Sequence, residues 1–174
     1  MEGTKAITDE TINTMKKLTR EHIHEIWEIA KNGELDILTG EERRYAEAML
    51  EHQDEYFNEF EMADLTYDYE YDPDTEQNPF LHIIFHVVVE NQLADKDPIE
   101  VFQFYNSMRK KKYPRHDTIH LIGAILAPFV FGTLQHKTPA DMKKYSSLLK
   151  KYKDKKPERI WALLENDSEL DSVL

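Results

Sequence analysis

The chain has 174 residues and no cysteine. That excludes disulfides, thiolate metal sites and a cysteine nucleophile. Glycine is scarce, with five in the chain, and no glycine-rich run of the kind that cradles phosphate is present. No apolar stretch approaches the roughly 20 residues needed to cross a bilayer. The opening stretch, MEGTKAITDETINTMKK, has neither an apolar h-region nor a small-residue cleavage site, so no secretory signal is expected. Basic charge is also short: 22 Lys and Arg against 34 Asp and Glu leave a net of −12. So acidic a chain is a poor candidate for nonspecific binding to nucleic acid or an anionic membrane, both of which need a basic surface. A cytoplasmic protein is the simplest reading.

What is present points to a globular fold. The composition is 40% hydrophobic and 32% charged, and the length suits a single domain that can bury a core without staples. The charge is unevenly placed. Residues 41–76 hold fourteen acids and two bases, a net of −12, while residues 107–156 have a net of +10. Such runs read first as solvated helix faces. They also leave room for a protein partner or a second copy of the chain.

Helix-start chemistry punctuates the sequence. Thr8 precedes a periodic run through Ile12, Met15, Ile23, Ile26 and Trp27 that ends near Asn32-Gly33, a pair suited to a left-handed C-cap. Thr39 with Glu42 spells a capping box opening a helix to about Glu61. Asn78-Pro79, Asp97-Pro98 and Thr138-Pro139 each pair an N-cap residue with proline at the first helical position. They predict helices near 79–94, 98–112 and 139–153. Pro114 precedes another reaching about His136, with Pro128 expected to kink it. Pro157 opens a last short one. Residues 63–77 alternate tyrosine with acids and contain Pro73, which fits an exposed acidic loop better than a strand. The expectation is an all-α, single-domain bundle of about six or seven mostly antiparallel helices.

The chemistry concentrates in histidines. The stretch NPFLHIIFHVVVENQ, residues 78–92, is apolar on nearly every face yet carries His82, His86 and Glu90 at four-residue spacing, hence on one stripe. In HDTIHLIGAILAPF, His116 and His120 are again four apart on an apolar helix. Imidazoles so spaced can clamp one ion, and neutral imidazole suits zinc or another divalent transition metal. Glu90 can serve as a further ligand, a base or an orienting group. The His-Glu-x-x-His signature of zinc proteases is absent, since Ile83 follows His82 and Asp117 follows His116. The competing reading is a buried polar network in which the histidines are core hydrogen-bonders of a non-enzymatic interaction or regulatory module. His52, one turn before Tyr56 on an acidic helix, is a possible fifth member, though by itself it reads as a surface residue. Ser146 and Ser147 look like exposed helix positions, with no histidine near them in sequence.

The run Asn78-Pro79-Phe80-Leu81-His82, then His86, Asp97-Pro98, His116 and His120, resembles an uncharacterised bacterial family catalogued as domain of unknown function 1841. Leu38-Thr39, Glu42 and Glu51-His52 are similar to that family's Leu-Thr…Glu…Glu-His-Pro-Glu-Tyr-His segment. The likeness covers roughly residues 25 to 150, judged by motif placement. It implies that His82, His86, His116 and His120 belong together with His52 near them, and it implies no activity. This chain departs from the pattern at Gln53, where proline would follow, at Asp54–Phe57, which lacks the second histidine, and at Ile119, where glutamate is frequent. Fewer ligands are therefore expected from the second helix.

Overall fold

A computed structural model describes residues 19–72, 75–136 and 138–166. Among them are eight α-helices, one 3-10 turn and no strand. The helices are α1 (Arg20–Lys31), α2 (Gly40–Glu51), α3 (Gln53–Glu61), α4 (Pro79–Asp95), α5 (Ile99–Lys110), α6 (Arg115–His136), α7 (Met142–Tyr152) and α8 (Pro157–Asn166). The 3-10 turn spans Leu35–Ile37. The early part of the first expected helix, with Thr8, Ile12 and Met15, lies outside the described residues. None of the described helices is long and apolar enough to cross a membrane.

The count exceeds the expectation because the helix expected over 39–61 is two helices. His52 leaves helical geometry, at φ −110 and ψ 11, and serves as the last cap of α2 and the first of α3. No proline or glycine marks this break. It falls at a residue whose side chain is buried. A second departure follows at Tyr56, at φ −125 and ψ 23.

Local codes were honoured unevenly. Gly33, at φ +76, ends α1 in the left-handed region that favours glycine, and its N–H reaches the Ala30 carbonyl at 3.0 Å. Asn78 Oδ1 accepts from the N–H groups of Phe80 and Leu81 at 3.1 and 3.0 Å, so the α4 cap forms as expected. The capping box at Thr39 does not form: Gly40 takes φ +54 and Thr39 makes no side-chain cap bond. Glu42 lies 3.2 Å from His22 Nε2 instead. The Asp97 and Thr138 caps are also corrected. Pro98 is itself the cap residue of α5, without a side-chain bond, and α7 starts at Met142 behind Asp141, whose carboxylate accepts from the Lys144 N–H at 2.9 Å. An acid one residue before the helix displaces a Thr-Pro pair four residues back, because capping needs the side-chain oxygen within reach of the first free N–H groups. Pro128 lies inside α6 without ending it. Residues 63–72 are turns and irregular chain.

The contacts divide the chain into two compact units, with the boundary between Val87 and Val88 inside α4. In the unit preceding that boundary, α1 packs on α2 and α3. Ile23, Ile26, Trp27 and Ala30 recur at helical spacing and are buried. The Trp27 ring meets Phe57 edge-on at 5.5 Å and Phe60 at 5.4 Å. Its Nε1–H donates to Glu61 at 2.8 Å, and Lys31 Nζ reaches the same carboxylate at 2.7 Å.

In the unit following it, α6 packs on α5, α7 and α8, and α5 packs on α7. Phe104, Ile122, Phe129, Tyr145 and Leu149 are wholly buried there. Full burial of such side chains contributes roughly 1.5–3 kcal/mol each. The Tyr145 hydroxyl donates to Gln92 Oε1 at 3.0 Å, which satisfies a polar atom deep in this core.

Candidate metal centre

The histidine cluster grows from two local features. On α4, the four-residue spacing puts the rings of His82 and His86 side by side, with centroids 5.1 Å apart. The break at the end of α2 turns His52 inward. His52 is 1% exposed and His86 4%, so the reading of His52 as a surface residue is overturned. Its ring stands nearly perpendicular to both partners, at 78° to His82 and 77° to His86. His52 Nε2 lies 3.0 Å from His86 Nε2 and 3.2 Å from His82 Nε2.

Both distances are within hydrogen-bond reach. However, an imidazole nitrogen has one in-plane site, either an N–H or a lone pair. His52 Nε2 can therefore make an ordinary hydrogen bond to one of the two nitrogens, not both. Three converging lone pairs around an ion meet no such conflict. Zinc–nitrogen bonds of about 2.0–2.1 Å in tetrahedral geometry separate the ligand nitrogens by about 3.3 Å. The three histidines each offer a ligand atom, all within 4.8 Å of one another. The donor set and its spacing fit a borderline-soft divalent cation.

Two neighbours shape the site further. Glu55 Oε2 is 3.7 Å from His52 Nδ1, on the ring edge away from the convergence. At that separation the carboxylate is beyond hydrogen-bond range and places negative charge beside Nδ1. Neither spacing nor motif pointed to Glu55, although its place three residues after His52 puts it one turn on. The Tyr56 ring lies 5.9 Å from that of His52 and 5.7 Å from that of His82, and its hydroxyl donates to Gln77 Oε1 at 2.8 Å. Burial, reinforced by Glu55 and Glu59, pushes the Tyr56 hydroxyl above its ordinary pKa. The phenol stays protonated at neutral pH, which disfavours it as a phenolate ligand.

Glu90 is on α4 in the later unit, where its carboxylate is engaged by the Arg115 guanidinium. His116 and His120 lie on α6 in the same unit, with ring centroids 4.3 Å apart at 50°. His22 is flanked by Glu25 and Glu42, and His24 Nδ1 is 3.3 Å from the Phe60 carbonyl.

Among the described residues, fold and site together define an all-helical protein carrying a largely buried cluster of imidazoles able to hold a metal. The chain belongs to the family described as "Domain of unknown function (DUF1841)", whose model matches residues 15–151. No curated protein and no solved structure is matched by the chain.

Proposed function

We propose that this is a metal-binding helical protein in which His52, His82 and His86 hold one divalent transition ion, zinc being the best chemical match. The observation that carries this reading is the convergence on His52 Nε2 of two further imidazole nitrogens, at 3.0 and 3.2 Å, with His52 and His86 buried and His82 half-buried. Three neutral nitrogens leave a position for a fourth ligand. His116 and His120, paired by their own four-residue spacing, are the sequence candidates for it, and a water or substrate atom is the other option. Glu90, the remaining sequence candidate, is proposed as an orienting carboxylate held by Arg115. A site kept open at one position supports Lewis-acid chemistry or sensing.

A second reading draws on the same 3.0 Å contact. The histidines would be core hydrogen-bonders in a non-enzymatic interaction or regulatory module. Elemental analysis of protein purified without chelator separates the two. The metal reading expects close to one transition ion per chain in the wild type and almost none in a His82→Ala/His86→Ala variant. Metal-free wild-type protein that also fails to take up added zinc would overturn it.

A further inference from the structure

Eight large apolar side chains are exposed among the described residues, and five of them, Phe57, Met62, Leu65, Tyr67 and Tyr69, fall within thirteen positions. Leu65 and Tyr67 are the most exposed, at 66% and 69%. Isolated exposed apolar residues are ordinary, but a cluster in one segment marks a contact surface. This cluster is set in acid. Residues 64–72 carry Asp64, Asp68, Glu70 and Asp72, and no lysine or arginine occurs anywhere from 45 to 95. A partner suited to it has cations on long apolar stems, because lysine methylenes cover tyrosine rings while the ammonium meets the carboxylates.

The chain itself carries that complement. Arg109, Lys110, Lys111 and Lys112 end α5, and residues 150–156 hold five more lysines against one aspartate. The Ser107 hydroxyl donates to the Lys153 carbonyl at 2.6 Å, and Lys111 Nζ reaches the same oxygen. The two basic runs therefore meet at the ends of α5 and α7. Lys110 and Lys112 are exposed there. A polyanion such as nucleic acid would match this end but would face a chain of net charge −12.

We propose that the acidic, tyrosine-bearing surface of residues 57–72 docks the lysine-rich end of α5 and α7 on a second copy of this chain. The two surfaces differ, so each copy offers one acidic and one basic face. Two such contacts between the same pair of copies close a two-fold dimer, and a single one repeats head-to-tail. Its charged component is screened by salt.

Sedimentation velocity on the full chain tests this. The average mass should rise with concentration at low ionic strength and fall to that of the monomer near 1 M salt, where the screening length is about 3 Å. A Leu65→Ser/Tyr67→Ser variant and a Lys110→Glu/Lys112→Glu variant should each remain monomeric alone. Mixed, they should form a one-to-one dimer that does not grow, since each supplies the face the other lacks. All four positions are exposed, so circular dichroism should match the wild type. A wild type that is monomeric throughout the low-salt series overturns the proposal, as does an oligomer that survives both pairs of substitutions. A wild-type monomer that binds a lysine-rich peptide also overturns it, in favour of a foreign basic partner.

Discussion

Replacing His86 with leucine distinguishes a metal site from a hydrogen-bond network. His86 is nearly fully buried, and leucine fills a similar volume. In the metal-free protein the change removes one of two nitrogens competing for a single site on His52 Nε2, while His82 stays 3.2 Å away. The metal-free melting temperature should therefore move by no more than about 3 °C, corresponding to roughly 1 kcal/mol for a chain of this size. The loaded protein behaves differently. A ligand at about 100 times its Kd stabilises the folded state by about 2.7 kcal/mol. At about 2–4 °C per kcal/mol, zinc should raise the wild-type melting temperature by roughly 5–11 °C. His86→Leu should lose nearly all of that rise. The increment should also shrink as pH falls, since protons compete for the same nitrogens. Differential scanning fluorimetry with zinc, nickel and a chelator measures every term. A wild type indifferent to metal, together with a metal-free His86→Leu that melts more than about 3 °C below the wild type, would refute the reasoning and favour the network.

Two further outcomes concern the rest of the fold. Tyr145→Phe should lower stability by about 1–3 kcal/mol, read from the urea midpoint, because it strips the donor from the buried Gln92 carbonyl oxygen. Hydrogen bonds from Lys31 and then Trp27 hold the Glu61 carboxyl below its ordinary value of 4.5. A group depressed in the folded state contributes stability above its unfolded pKa and loses it as pH falls through the folded one. Thermal melts of Glu61→Gln should accordingly depend less on pH below about 4.5 than those of the wild type; parallel curves would contradict the assignment.

The unevenness of what could be read in the sequence has a physical pattern. Helix formation, the apolar stripe of α1, the Asn78 cap and the pairing of His82 with His86 depend on residues within one or two turns of each other. Helical geometry alone brings such residues together, so their spacing is sufficient information. Thr39 does open α2, but next to Gly40 in the left-handed region its side chain makes no cap bond, and at α7 the nearer Asp141 takes the capping place expected of Thr138. Glu55 sits one turn after His52, yet its approach to that ring is invisible until His52 is known to turn inward.

By itself the sequence determined that this protein is helical and acidic, free of thiol chemistry, and equipped with paired histidines on an apolar helix. Tertiary structure decided the site. His52 lies 30 positions before His82 on a helix that otherwise looks solvent-facing, and only the break at the end of α2 carries it into the interior. That break has no proline or glycine to announce it. The convergence of three imidazoles is a property of how α2, α3 and α4 fold against one another, and no periodicity along the chain encodes it.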